Sequence, residues 1–197
     1  RMKIVFATKN KGKVNEVVKI FNTDKIELVT MEQAGIDIDV VEDGTTFEEN
    51  AEKKAVEIMK ASGEAAIADD SGLEIDFLDK QPGIHSARFL GHDTPYSIKN
   101  AKILDMLKDV PEEKRTARFV CAVCLALPDG RIIRSKGTLE GRIGNKITGE
   151  NGFGYDPIFF IPEKNCYSAE LSTEEKNKIS HRGKAMAEMR EKILEIL

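Results

Sequence analysis

Two runs of strand-forming side chains, residues 116–127 and 131–136, meet at Pro128-Asp129-Gly130, a turn that reverses the chain. A hairpin makes its two strands antiparallel neighbours, so a purely parallel sheet is excluded. The N-terminus has a different character. An apolar run at residues 4–7 passes through a polar turn into a helix expected from Lys13, with Val14, Val17, Val18 and Phe21 forming one apolar stripe. A short strand is expected at residues 26–30. Helices alternate with strands early and hairpins dominate the middle, which predicts an α/β chain with a mixed sheet and helices packed on it.

Local signals place the remaining elements. Thr46 with Glu49 forms a capping box and opens a helix to about Lys60, with Phe47, Ala51, Ala55, Ile58 and Met59 inward. Residues 65–68 read as a short apolar run ending in Asp69-Asp70-Ser71-Gly72. Pro95 suits the first turn of a helix whose inner face would carry Ile98, Ala101, Leu104 and Leu107. Further strands are expected at residues 138–143 and 158–161. A second capping box, Ser172 with Glu175, precedes a last helix from about His181, striped by Ala185, Met189, Ile193 and Leu197. No repeat, linker or boundary interrupts the pattern, so residues 1–197 read as one domain.

Composition excludes some functions. With 30 basic and 34 acidic residues, the chain carries a net charge of −4, against the basic surplus usual for nucleic-acid binding. No stretch reaches the roughly 20 apolar residues of a membrane span. The first residues run straight into a strand and leave no room for a signal peptide, which predicts a cytoplasmic protein. Cys121 and Cys124 fall at i and i+3 of an expected strand and point to opposite faces, which suits buried thiols better than a metal or redox pair.

Four polar groups carry chemistry. Thr8-Lys9-Asn10-Lys11-Gly12-Lys13 joins a strand to a helix start, where backbone N–H groups, the helix dipole and three lysines suit a phosphate chain. It lacks the spacing of a Walker loop. Glu42, Asp43, Asp69 and Asp70 are carboxylates near expected element ends. Two adjacent acids at the end of a buried run need partners, and magnesium takes one or two carboxylates together with substrate phosphates. In Gly152-Phe153-Gly154-Tyr155-Asp156-Pro157, glycines permit close backbone approach and the aromatics suit stacking on a base. Lys176, Ser180, His181 and Arg182 gather near the last helix start, and Lys54 and Arg88 are further phosphate partners.

These segments together resemble the inosine triphosphate pyrophosphatase family, whose members cleave non-standard purine nucleoside triphosphates. The matching blocks are 6–13 (FATKNKGK), 68–73 (ADDSGL), 82–88 (PGIHSAR), 152–157 (GFGYDP) and 180–185 (SHRGKA). Their order and joint occurrence over nearly the whole chain make the resemblance specific. Residues 139–150 match no block.

The resemblance implies a long curved mixed sheet, two lobes with a central substrate cleft, and a homodimer. It implies hydrolysis of inosine, deoxyinosine and xanthosine triphosphates to the monophosphate and pyrophosphate with Mg2+. Thr8, Asn10 and Lys13 then match the triphosphate loop, with Lys54 alongside. Glu42 and Asp70 match the magnesium-linked acids, Asp70 or Asp69 activates water, and Ser71 lies beside substrate. Phe153, Gly154, Tyr155, Asp156, Lys176, His181 and Arg182 match the base-recognition wall. Two rivals remain at this level: a pyrophosphatase for modified pyrimidine or standard nucleotides, and a single-strand nucleic-acid module using the lysine loop with Phe153 and Tyr155.

Overall fold

The computed structural model describes residues 1–21 and 23–197. In chain order it contains β1 (Met2–Phe6), α1 (Lys11–Ile20), β2 (Ile26–Thr30), α2 (Phe47–Ser62), β3 (Ala65–Ile75), β4 (Gln81–Pro82) and α3 (Tyr96–Met106). There follow β5 (Thr116–Ala126), β6 (Ile132–Ile143), β7 (Phe159–Ile161), β8 (Cys166–Tyr167), α4 (Thr173–Ile179) and α5 (His181–Glu195). Among the described residues the strands form one eight-stranded sheet in the order β2-β1-β3-β5-β6-β7-β8, with β4 paired to β3. β1 is parallel to β2 and β3, while β3–β4, β6–β7 and β7–β8 are antiparallel. The sheet is mixed, as the hairpin and the N-terminal alternation require. No helix among the described residues is long and apolar enough to cross a membrane.

Contacts divide the chain into two compact units. Unit 1 comprises Arg1–Asp70, Cys121–Gly137 and His181–Leu197; unit 2 comprises Ser71–Val120 and Thr138–Ser180. Each has its own apolar core. Ile4, Phe6, Val17, Phe21, Ile67 and Met189 anchor the first; Leu73, Ile103, Leu107, Phe119, Ile143 and Phe159 anchor the second. Each such side chain stabilises its unit by about 1.5–3 kcal/mol on burial.

Several boundaries differ from the sequence expectation. α1 begins at Lys11 rather than Lys13, because Asn10 is its N-cap and its side chain accepts from the Gly12 and Lys13 amides. Val18 lies off the buried stripe, 48 % exposed. β3 does not stop before its acids but runs through Asp69 and Asp70 to Ile75. The expected strand at residues 138–143 is the second half of β6.

The largest difference is the phase of α3. Ile98 and Ala101 face outward, while Lys99, Asn100, Ile103 and Leu107 are buried. A hydrophobic-stripe argument misplaces this helix because two of its inward side chains are polar. Cys121 and Cys124 are buried thiols outside any disulfide, in line with the expectation of structural cysteines. Burial pushes the Cys124 thiol up to about 12, so it stays protonated at neutral pH.

Candidate active site

In unit 1 the strand β3 delivers both aspartates. Alternation sends their side chains to different neighbours. Asp69 Oδ2 lies 3.1 Å from Lys13 Nζ and 3.4 Å from Arg182 Nε. The Cys121 thiol donates weakly to the same oxygen across 3.8 Å. Arg182 Nη1 also donates to Glu16 Oε2 at 2.7 Å. All four charged groups are largely withdrawn from water: Glu16, Asp69 and Arg182 are buried, and the Lys13 side chain is 15 % exposed.

Burial disfavours the Arg182 charge, but Asp69 and Glu16 more than offset it and raise its pKa. For Lys13, burial prevails over the attraction of Asp69 and lowers the ammonium. Removing one partner from such a network typically costs about 3–5 kcal/mol, because a buried charge is left without compensation.

Asp70 is different. Its Oδ2 accepts a hydrogen bond from Asn50 Nδ2 on α2 at 3.0 Å. Burial pushes its carboxyl up to about 6, only partly opposed by Lys54 and Asn50. Lys54, one helical turn on from Asn50, bridges to Glu42 Oε1 at 2.8 Å. Burial works against the Lys54 charge, yet Asp69, Glu42 and Asp70 together raise its pKa. Asp43 pairs instead with Lys53 at 2.9 Å. Asp69 is thus a hub among cations, whereas Asp70 is held by a neutral amide in a setting unfavourable to its own charge.

The N-terminal turn only partly matches expectation. The Gly12 and Lys13 N–H groups, expected as a phosphate seat, donate to Asn10 Oδ1 at 2.9 and 3.2 Å. Asn10 N donates to Thr8 Oγ1 at 3.1 Å. The turn is rigidly self-capped because an asparagine there is a strong helix N-cap. Its contribution to an anion therefore rests on the helix dipole and on side chains. Lys9 is paired at the surface with Asp37 and Asp39, at 3.1 and 2.8 Å. Lys11 is exposed. A cavity of about 680 Å³ opens beside Thr8, Lys9 and Lys11, with Met31 and Ile36 also lining it.

His181 and Arg182 open α5 and belong to unit 1. Their position depends on Gly137 of β6: a Cβ there would collide with the His181 carbonyl and press on the Ala185 amide. Glycine at this point lets strand and helix backbones touch.

Unit 2 holds the 152–157 turn. Gly152 and Gly154 have φ of +72° and +66°, in the left-handed region. A side chain on Gly152 would displace the Asp156 carboxylate. Asp156 Oδ2 accepts from Phe153 N at 2.9 Å and from Lys176 Nζ at 2.6 Å, and its Oδ1 accepts from Ser168 Oγ at 2.8 Å. Lys176 Nζ lies 4.7 Å from the Phe153 ring centroid. The half-buried Phe153 ring therefore sits on a fixed cation.

Tyr155 does not share that role. It is buried, its ring meets Tyr96 edge-on at 5.1 Å, and its hydroxyl donates to the Ser86 carbonyl at 2.6 Å. A phenol committed in this way holds the turn instead of stacking on a base. Ser71 is half-buried on β3. Arg88 is exposed, with Nη2 2.8 Å from His85 Nδ1.

Glu16 and Asn50 escaped the sequence reading. Both lay in plain view as polar residues on the inner stripes of α1 and α2, where a buried polar group must have a partner.

The unit 1 donor set suits a hard cation. Glu42 and Asp70 offer carboxylate oxygens, and three cations (Lys13, Lys54 and Arg182) face four carboxylates. No group of three or more His, Cys, Asp or Glu converges on a metal site among the described residues. One or two carboxylates completed by phosphate oxygens is the usual magnesium arrangement, so the residues fit.

Comparison with known proteins agrees over the whole chain. The model of the Ham1 family matches residues 4–192. A dITP/XTP pyrophosphatase of Desulforamulus reducens is 47% identical over 196 residues, covering 100% of this chain and 96% of the relative. The Ham1 protein of Staphylococcus aureus superposes with a TM-score of 0.88 at 39% identity, covering 99% of this chain and 100% of that one. A HAM1 protein from Coxiella burnetii gives 0.90 at 35% identity with the same coverage. With its mixed sheet, its paired acids on β3 and this full-length likeness, the chain belongs to the Ham1 family.

Proposed function

We propose that this protein hydrolyses non-standard purine nucleoside triphosphates, those of inosine, deoxyinosine and xanthosine, to the monophosphate and pyrophosphate. The observation that carries this reading is the contrast at β3. Asp69 is neutralised by Lys13 and Arg182, while its neighbour Asp70 is buried with a raised pKa and an amide partner. A carboxylate poised near neutrality is the form a general base takes. The dITP/XTP pyrophosphatase name of relatives such as that of Desulforamulus reducens supports the substrate class.

The roles follow from the geometry. Lys13 and Lys54 supply positive charge to the triphosphate, steadied by Asp69 and Glu42. Glu42 and Asp70 would hold Mg2+, which when bound neutralises phosphate oxygens and favours pyrophosphate as leaving group. Asp70, oriented by Asn50, accepts the proton of the attacking water.

Phe153 stacks on the base, with Lys176 and Asp156 fixing the ring from below. Arg182, oriented by Glu16 and Asp69, donates to the purine 6-oxo group together with backbone N–H groups. An adenine amino group would leave those donors unpaired, a mismatch that strongly disfavours binding. Three free cysteines suit a reducing cytoplasm, and the resemblance to the family suits a homodimer.

The test is product identification. Inosine triphosphate with magnesium should give inosine monophosphate and pyrophosphate, at least 100-fold faster than adenosine triphosphate is cleaved, as expected when a site built for one hydrogen-bond pattern meets another. Release of diphosphate and orthophosphate instead would refute cleavage between the α and β phosphates. Preferred turnover of a modified pyrimidine triphosphate would move the substrate class.

A further inference from the structure

The inward face of α3 is the most unusual polar arrangement outside the groups already assigned. Lys99 is fully buried and Asn100 is 2 % exposed, on a helix whose other buried residue is Ile103, with buried Leu107 capping its C-terminus. Lys99 Nζ donates to the Ala87 carbonyl at 2.8 Å and lies 4.6 Å from the Tyr96 ring centroid. Burial lowers its ammonium, and no carboxylate contributes to that shift. Asn100 Nδ2 donates to the Gly154 carbonyl at 3.1 Å, while its Oδ1 is buried with no hydrogen-bond partner.

A leucine and a methionine would fill the same space without desolvating an amine and an amide. What the polar pair adds is specific to two backbone segments. Lys99 grips residue 87, between the buried Ser86 and the exposed Arg88. Asn100 grips residue 154, inside the turn that carries Phe153 and Asp156. Two aromatic contacts close the same loop of connections: Tyr96 packs on Tyr155, and the Tyr155 hydroxyl reaches the Ser86 carbonyl. The Ser86 hydroxyl in turn accepts from Leu73 N at 2.9 Å on β3.

We propose that Lys99 and Asn100 are positioning residues that lock the 83–88 segment and the 152–157 turn to each other through α3, and thereby tune base selectivity. This rests on the reading of Phe153 as the base-stacking residue. Neither side chain needs to touch substrate. Asn100 holds the Gly154 carbonyl, which sets the direction of the neighbouring Phe153 ring. Lys99 holds the Ala87 carbonyl, which anchors the opposite end of the Tyr155 hydroxyl bridge. Loss of either bond lets the turn rotate about its two left-handed glycines.

The test is the ratio of kcat/KM for inosine triphosphate to that for adenosine triphosphate in Asn100→Leu, Lys99→Met and Lys99→Arg, with Phe153→Ala as control. Asn100→Leu and Lys99→Met should each lower the ratio about fivefold, the size of one lost hydrogen bond, mainly through KM for inosine triphosphate. Lys99→Arg should recover most of the loss, because it keeps a charged donor.

A fall in activity that leaves the ratio at its wild-type value would show a merely structural role and overturn the proposal. If Phe153→Ala leaves the ratio unchanged, the base-stacking reading itself fails; if only Phe153→Ala changes it, the positioning role fails alone. Should the α3 variants not fold, hydrogen exchange of the wild-type protein with and without inosine monophosphate decides. Segments 83–88, 96–103 and 152–157 should gain protection together, and protection of 152–157 alone would overturn the coupling.

Discussion

The two units are built for different kinds of recognition. In unit 1 the polar groups are mostly charged and answer one another: Lys13 with Asp69, Arg182 with Glu16 and Asp69, Lys54 with Glu42. In unit 2 the buried ion pair of Lys176 with Asp156 props up an aromatic ring, hydrogen bonds to backbone carbonyls fix the neighbouring segments, and Arg118 with Glu74, Asp76 and Glu140 forms a second, more exposed charge cluster. A cluster of paired charges suits a polyanion and its metal, and an aromatic ring on fixed backbone suits a flat base. In the cluster around Lys13, Lys54 and Arg182, these three cations face the four carboxylates of Glu16, Glu42, Asp69 and Asp70, so a triphosphate alone would meet surplus negative charge there, and the reading stands or falls with a divalent ion.

The largest expected effect tests that surplus. Asp70→Asn should lower inosine triphosphate turnover by about 10³-fold or more, the scale of a lost general base and ligand. The same change should stabilise the metal-free protein at pH 7. Burial raises the folded-state pKa of Asp70 to about 6, above the ordinary value of 3.8. Its contribution to stability is therefore fully present below pH 4 and is lost as pH rises through about 6. The variant should gain up to about 3 kcal/mol over wild type across that window. Thermal unfolding in chelator at pH 4 and pH 7 measures it; an equal difference at both pH values would remove the basis for Asp70 as a poised base.

Next comes a paired comparison. Arg182→Met leaves Glu16 and Asp69 without a shared cation and should destabilise the protein by about 3–5 kcal/mol, with discrimination against adenosine triphosphate eroded. Lys176→Met disturbs one acid, Asp156, which keeps its bonds from Phe153 N and Ser168. Its cost should be visibly smaller in urea unfolding, with KM for inosine triphosphate raised about tenfold as the Phe153 ring loses its support. Equal destabilisation by the two changes would blur the distinction between a charged and an aromatic unit.

The smallest effect belongs to the N-terminal turn. Asn10→Ala should cost about 1 kcal/mol through the lost cap, with a KM increase common to every triphosphate tested. A change in base preference from this substitution would contradict the assignment of the Thr8–Lys13 turn to the phosphates.

Much of the fold is legible in the sequence. The hairpin at Pro128-Asp129-Gly130, the capping box at Ser172 and the α5 stripe through Met189 are local signals that local geometry realises, while at Thr46 only half of the box forms: Thr46 caps the Glu49 amide, but the Glu49 carboxylate accepts from Thr45 instead. Lys13, Asp70, Phe153 and Arg182 are legible as chemistry-bearing residues because their types cluster near expected element ends, and Lys54 through the family resemblance. What stayed hidden were partners far apart in sequence: Glu16 for Arg182, Asn50 for Asp70, Asn100 for Gly154. The phase of α3 failed for the same reason, since Lys99 and Asn100 look like solvent-facing residues until the carbonyls of Ala87 and Gly154 are brought to them.

The sequence alone determined the mixed sheet, the starts of α2, α3 and α5 and the identity of the reactive groups, because backbone propensity and periodicity act within a few residues. Only the tertiary structure decided how the adjacent acids differ. Asp69 and Asp70 are chemically identical neighbours, and one became a neutralised hub while the other became a poised carboxyl. Strand alternation points them to different surroundings, and in a low-dielectric interior the surroundings set the charge.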